Sequence, residues 1–152
     1  MTQLPVMTSR AVVIDTNIVL DLLLFAEPAV EPLRQALLQQ RLRWLAIAHM
    51  RNELERVLQY PQIAPRMAFY GHSTEQLLQR MDAVVQYVEP AGPAGVNCKD
   101  TDDQCFVDLA AAHQAILLSK DAQVLKLRKR LAKQQVLVAR LLPDSWEPVP
   151  AP

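Results

Sequence analysis

The sequence is built from short apolar runs that alternate with helical patterns, and this alternation restricts the fold most. The runs 11-AVVIDT-16, 42-LRWLAI-47, 115-AILLS-119 and 135-QVLVARL-141 are predicted strands. The segments between them predict helices over 18–25, 33–41, 49–60, 74–88, 104–114 and 121–133. Most of these strands are apolar along their whole length, so both of their faces are expected to be covered. The pattern predicts an α/β domain with a parallel sheet and helices on both faces.

Local signals refine these boundaries. Asn17 is a predicted N-cap of the first helix, and Ser73 with Gln76 resembles a capping box. His113 is expected on the same helical face as Phe106. The segment 62–72 is broken by Pro and Gly, and the last residues of 74–88 are a possible short strand.

The length of 152 residues fits one domain. We expect a leader over 1–10, the folded domain over 11–142 and a Pro-rich tail over 143–152. The apolar stretch 11–25 contains Asp15, Asn17 and Asp21, so it does not read as a membrane span, and residues 1–10 lack an export signal. A cytoplasmic protein is therefore expected, with Cys98 and Cys105 reduced and no zinc site.

The formal net charge is zero, but the charges are unevenly placed. The stretch 120–140 contains seven Lys and Arg residues and one acid, whereas 99-KDTDDQCFVDLA-110 contains four Asp residues. An acidic pocket beside a basic surface suits a metal-dependent enzyme that acts on a polyanion. Two solvated faces that offset each other would give the same pattern.

Several acids fall where parallel strands end. Asp15 ends the first predicted strand, Asp121 follows 115–119, and Asp103 with Asp100 precedes the helix that leads to that strand. Glu53 lies beside the apolar stripe of its helix. Strand carboxyl ends share one edge of a parallel sheet, so these carboxylates are expected to converge and to need Mg²⁺ or Mn²⁺.

Each acid also has an ordinary explanation. Asp15 and Asp121 are acceptable as a turn former and a helix cap, and Glu53 as a surface partner of Arg51 or Arg56. Asp102 and Asp108 are expected to face solvent instead of joining a site.

The order I14-D15-T16-N17, E53-L54-E55-R56-V57-L58, C98-K99-D100-T101-D102-D103 and L118-S119-K120-D121 resembles the PIN domain family. The similarity runs from about Ala11 to Leu142. It is greatest to the branch of toxin components of bacterial type II toxin–antitoxin systems, the VapC-like ribonucleases.

This resemblance implies a Rossmann-like three-layer α/β/α sandwich and a metal-dependent ribonuclease. It implies that the catalytic acids are Asp15, Glu53, Asp103 and Asp121. Asp15, Asp103 and Asp121 would be metal ligands, and Asp100 would join them. Thr16, Asn17 and Ser119 match polar positions that support the ligands.

The chain also departs from this branch. Gln104 and Cys105 stand where an Asp and a Lys are common, and Gln123 stands where a further Asp is common. These losses bear on the binding of a second metal ion.

The predicted function is therefore a Mg²⁺- or Mn²⁺-dependent endoribonuclease, the toxin of a toxin–antitoxin pair. The candidate phosphate-contacting side chains are Lys126, Arg128, Lys129 and Arg130. The expected partners are RNA, an antitoxin and a second copy of the chain. Leu37, Leu38, Met67 and Phe69 are candidates for the homodimer surface or for the core. Two alternatives stay open, a non-catalytic PIN-like module that binds protein or nucleic acid, and a phosphatase that uses Asp15 as its nucleophile.

Overall fold

The computed structural model of the chain describes residues 9–144 and 146. The predicted leader over 1–10 and the Pro-rich tail over 143–152 therefore lie largely outside the described residues. Within the described part, five strands form a single sheet: β1 Arg10–Ile14, β2 Leu42–Ala46, β3 Gln86–Tyr87, β4 Ile116–Leu118 and β5 Leu137–Ala139.

All neighbouring strands of this sheet are parallel, in the order β3-β2-β1-β4-β5. The register pairs Val12 with Trp44 on one side of β1 and Ile14 with Leu118 on the other. The strand order reverses direction between β1 and β4. In open parallel sheets, that switch point opens a crevice at the carboxyl ends of the two strands.

Among the residues that the structure describes, eight α-helices connect or flank the strands: α1 Thr16–Leu20, α2 Glu31–Leu38, α3 Ala48–Val57, α4 Ala64–Phe69, α5 Thr74–Val84, α6 Gln104–His113, α7 Ala122–Leu125 and α8 Arg128–Ala132. A π-helical turn over Asp21–Phe25 extends α1, and 3₁₀ turns cover Pro28–Val30 and Thr101–Asp103. Helices α1, α3 and α5 contact one another in one layer, whereas α6 packs on β1 and β4, and α8 on β5. Right-handed crossovers place these groups on opposite faces of the sheet.

The core lies between these layers and confirms the predicted three-layer α/β/α fold. Val12 and Val13 in β1 are fully buried, as are Ile116 and Leu117 in β4. Strands covered on both faces explain why these runs are apolar at every position rather than at alternate ones.

The first helix begins earlier than predicted. It starts at Thr16, and its N-cap is Asp15, whose side chain accepts a hydrogen bond from the Asn17 backbone. The assignment of Asn17 as the cap is therefore wrong, because the carboxylate of Asp15, two residues earlier, already occupies that role. The capping box of Ser73 and Gln76 is confirmed, and it opens α5.

The predicted helix over 121–133 is divided into α7 and α8. The amide of Leu127 bonds the carbonyl of Val124, three residues back, so α7 tightens and ends there. The backbone amide of Leu131 then donates to the carbonyl of Leu127, and the chain continues as α8. His113 is exposed and not part of the buried face, because it is the last residue of α6, where the chain turns toward β4.

The four apolar residues considered for a dimer surface have different surroundings. Met67 is buried in the core and Leu37 is partly buried. Leu38 is 67% exposed and Phe69 is 84% exposed. Only the last two are therefore available to a partner.

Candidate metal centre

Asp15 lies at the switch point of the sheet, directly after β1. Its backbone amide bonds the carbonyl of Leu118 at 2.9 Å, so the pairing of β1 with β4 continues to this residue. Its side chain is nevertheless almost fully buried, at 5% exposure. The carboxylate of Asp15 therefore lies where the pairing of β1 with β4 ends.

Hydrogen bonds surround this carboxylate. One Asp15 oxygen accepts the Asn17 amide at 3.0 Å, and the other accepts the Ser119 hydroxyl at 2.7 Å. The Ser119 oxygen in turn accepts the backbone amide of Asp121 at 3.0 Å. Ser119, the residue after β4, therefore links Asp15 to the chain around Asp121.

Glu53 joins Asp15 from the neighbouring helix. The Thr16 hydroxyl donates to Glu53 Oε2 at 3.1 Å, which ties α3 to the start of α1. We call Asp15, Thr16, Glu53 and Ser119 the hydrogen-bonded cluster. Burial raises the pKa of both carboxyl groups above their usual values, and their mutual repulsion adds to the rise for Glu53.

A second group of acids lies beside the first. Oxygens of Asp100, Asp103 and Asp121 lie within 4.8 Å of one another, and we call these three residues the carboxylate cluster. Asp100 caps the 3₁₀ turn before α6, Asp103 is the residue from which α6 begins, and Asp121 caps α7. Asp100 and Asp103 thus come from one turn, and Asp121 joins them from the turn after β4.

The carboxyl groups of this cluster change one another's pKa values. Burial, together with the neighbouring Asp121, Asp15 and Asp100, raises the pKa of Asp103 to about 8. A hydrogen bond from Asp103 lowers the pKa of Asp121. The two carboxyl groups therefore share one proton at neutral pH, and it resides on Asp103, the more buried of the two.

The donor set fits a hard divalent cation. Three carboxylates offer only oxygen ligands, which Mg²⁺ and Mn²⁺ prefer. A cation would also relieve the repulsion that now keeps Asp103 protonated. Asp15 belongs to the adjacent hydrogen-bonded cluster and not to this triad.

Two side chains that the sequence analysis did not assign to the site hold the loop before it. Gln104 accepts the Cys98 amide at 2.6 Å, and it donates to the Val96 carbonyl and to Asp108, both at 2.9 Å. Asp108 also accepts the Ala94 amide at 2.9 Å. The expectation that Asp108 faces solvent is therefore wrong, because it fastens the loop 90–98 to α6. Gln104 and Asp108 are four residues apart on one helix, and this spacing is the sequence signal that predicts their contact.

Asp21 is a further buried acid that sequence reasoning left unexplained. It lies in the π-helical turn after α1 and forms an ion pair with Lys120, the residue between Ser119 and Asp121. This pair accounts for the burial of Asp21 and fastens the loop after β4 to the first helix. Asp102, in contrast, is exposed, as expected.

The four basic residues Lys126, Arg128, Lys129 and Arg130 are all exposed, on α8 and the turn before it. Within residues 9–144 and 146, none of them forms a salt bridge. Their charges therefore face solvent.

A doubly wound parallel sheet with clustered carboxylates at its switch point defines an α/β domain of the class that binds ligands at that edge. The profile of the family described as PIN domain matches residues 11–123, from β1 through the start of α7. This chain therefore belongs to the PIN domain family, whose members are generally nucleases. The match includes every acid of both clusters and ends before Lys126.

A search of curated proteins gave no match to this sequence. None of the helices in the described part of the chain combines the length and the apolar character that crossing a membrane requires.

Proposed function

We propose that this PIN domain is an endoribonuclease that depends on Mg²⁺ or Mn²⁺. The observation that supports this most is the carboxylate cluster at the switch point of the sheet, in a chain that belongs to a family of nucleases. Asp100, Asp103 and Asp121 would hold the cation, and Asp15 would contribute from its hydrogen-bonded position. A bound cation would polarise the phosphate of the substrate and lower the pKa of a bound water.

Glu53 is the proposed proton acceptor. Its pKa is raised by burial and by Asp15, so it can take up a proton more readily than an ordinary carboxylate. The hydroxyl of Thr16 orients it. The hydroxyl of Ser119 and the backbone amide of Asn17 both donate to Asp15, and these hydrogen bonds favour its ionised form.

RNA is proposed as the substrate, with Lys126, Arg128, Lys129 and Arg130 in contact with its phosphates. Their exposure and lack of acidic partners among the described residues suit this role. Cleavage should then weaken as the salt concentration rises, because each phosphate contact releases a counterion.

The test is incubation of purified protein with end-labelled RNA and, separately, with single-stranded DNA, in Mn²⁺ and in EDTA. Cleavage of RNA in Mn²⁺ that EDTA and Asp103→Ala both abolish supports the proposal. Cutting that survives both treatments indicates a contaminating nuclease. Binding of RNA with no Mn²⁺-dependent cleavage would favour the alternative, a non-catalytic binding module.

The toxin role belongs to the same proposal. An antitoxin segment would cover the acidic centre, with an Arg placed among the carboxylates. Induced expression should arrest growth with the wild type and not with Asp103→Ala, and co-expression of the adjacent gene's product should restore growth. Arrest that is equal for both variants would contradict a toxin that acts through this centre.

A homodimer is also proposed, with exposed Leu38 as its candidate contact. Sedimentation velocity should show a dimer that Leu38→Glu dissociates. A monomeric wild type would remove this part of the proposal.

A further inference from the structure

An unusual surface lies after α3, over residues 56–74, which we call the aromatic segment. It contains Tyr60, Phe69 and Tyr70, which are half of the Phe and Tyr residues of the chain. Phe69 is 84% exposed, Tyr60 45% and Tyr70 43%. Large aromatic side chains are normally buried, so this concentration at the surface points to a binding role.

The rings of this segment are held in a defined arrangement. Phe69 and Tyr70 meet edge to face with centroids 5.3 Å apart, and Tyr70 stacks on His72 at 6.4 Å. The helix that carries Phe69, α4, is anchored to the core through Met67. The outer rings are therefore positioned by a buried residue and by one another.

The charge of the segment suits a polyanion. Residues 56–74 contain no Asp or Glu, although the whole chain has 16, and they contain Arg56, Arg66 and His72. Arg56 and Arg66 are exposed. Aromatic rings combined with positive charge are the usual means of binding single-stranded nucleic acid, because the rings stack on bases while cations contact the backbone.

Two connections join the segment to the candidate metal centre. Helix α3 carries Glu53 and ends at Val57, three residues before Tyr60. The guanidinium of Arg66 lies 4.2 Å from the centroid of the Phe25 ring, and Phe25 ends the helical run that starts at Thr16. The segment is therefore attached to the two helical runs that carry Glu53 and Thr16.

We infer that the aromatic segment is a stacking platform for the bases of single-stranded RNA, with Phe69 as its principal contact. This inference rests on the proposed ribonuclease function and names how the substrate is held. The exposed basic residues of α8 would bind phosphates without regard to base, whereas the platform would bind bases.

The test measures binding in EDTA, where no cleavage takes place. Fluorescence anisotropy of a labelled oligoadenylate should show at least about fivefold weaker affinity for Phe69→Ala, since one lost base stack corresponds to that factor or more. Phe69→Trp should keep the affinity and Phe69→Leu should lose it, because stacking needs a ring and not only an apolar side chain. Leu141→Ala, which truncates an exposed apolar residue outside the segment, should bind like the wild type.

Several results would overturn the inference. Phe69→Leu that binds as well as the wild type, or Leu141→Ala that binds as weakly as Phe69→Ala, would show no stacking at this site. If sedimentation velocity shows that the wild type is a dimer and that Phe69→Ala is a monomer, the surface is a contact with a second copy of the chain. If Phe69→Ala binds RNA more weakly but neither the wild type nor any variant cleaves RNA in Mn²⁺, the platform is supported and the nuclease proposal is contradicted.

Discussion

The two clusters of the candidate metal centre both contain buried carboxylates, yet these are stabilised in opposite ways. In the hydrogen-bonded cluster, Asp15 accepts from Ser119 and from the Asn17 amide, so its charge is compensated inside the protein. In the carboxylate cluster, Asp103 faces Asp100 and Asp121, and its nearest charged neighbours are acids.

The difference teaches which half is fitted to a cation. A carboxylate whose lone pairs are already used by fixed donors keeps its position whether or not a metal is present. A set of carboxylates that must share a proton gains most when a cation replaces that proton. We therefore expect the carboxylate cluster to control metal affinity and the hydrogen-bonded cluster to control geometry.

The largest effect is expected from Asp103→Asn. Removing this charge should lower Mn²⁺ affinity and RNA cleavage by at least about a hundredfold, more than loss of a supporting residue typically costs. The metal-free protein should melt at a higher temperature at neutral pH, because Asn is neutral without the proton that Asp103 must take up on folding. Calorimetric titration with Mn²⁺ and a melting curve in EDTA measure both.

The matched control is Asp102→Asn, which removes an equal charge from an exposed neighbour one residue away. It should leave both measurements close to those of the wild type. Equal losses in the two variants would mean that general negative charge attracts the ion, and the distinction between the clusters would fail.

The pH dependence of metal binding is the next largest effect. Because the pKa of Asp103 is raised to about 8 by burial and by neighbouring acids, a cation must displace its proton at neutral pH. Mn²⁺ affinity should therefore rise up to about tenfold for each pH unit between about 6 and 8, and level off above that. In Asp103→Asn this slope should disappear.

The stability of the metal-free protein should change in the opposite direction. The folded state holds the Asp103 proton at pH values where the unfolded chain, with its ordinary pKa of 3.8, has lost it. The stabilisation is complete below about pH 4 and is lost as the pH rises toward about 8. The raised pKa values of Asp15 and Glu53 act with the same sign. Melting curves in EDTA that are flat over this range would contradict the assignment.

Ser119→Ala should have a smaller effect, and on a different quantity. Asp15 would lose its 2.7 Å hydrogen bond, so its orientation would loosen and its pKa would rise further. We expect cleavage to fall by about tenfold, while Mn²⁺ affinity falls less than in Asp103→Asn.

Ser119→Thr keeps the hydroxyl and serves as the control, with cleavage close to the wild-type rate. A loss of Mn²⁺ affinity in Ser119→Ala as large as that in Asp103→Asn would place Asp15 among the main ligands. The two clusters would then act as one.

The smallest effect is expected from Thr16→Val. The substitution removes one partly buried hydrogen bond to Glu53, worth about 1 kcal/mol, which corresponds to about a fivefold change in cleavage rate. Mn²⁺ affinity should not change. Thr16→Ser should retain the wild-type rate, and a Thr16→Val enzyme with unaltered cleavage would show that Glu53 needs no orienting partner.

The sequence alone determined the layers of the fold and the chain positions of the acids. Fully apolar runs such as 11–16 are buried on both faces only in a parallel sheet between helices, and parallel strands place their carboxyl ends at one edge. That reasoning located Asp15 and Asp121 at the same edge before any coordinates were available. The capping box at Ser73 was likewise readable, because it depends only on residues three apart.

Only the tertiary structure decided which acids meet and what each one contacts. Asp108 fastens a loop although it was expected to face solvent, and Asp21, to which the sequence pattern gave no role, pairs with Lys120. The strand order, the division of 121–133 into two helices and the 4.8 Å cluster depend on contacts between residues far apart in the chain. Such contacts are set by packing and by hydrogen-bond geometry, which local residue patterns do not contain.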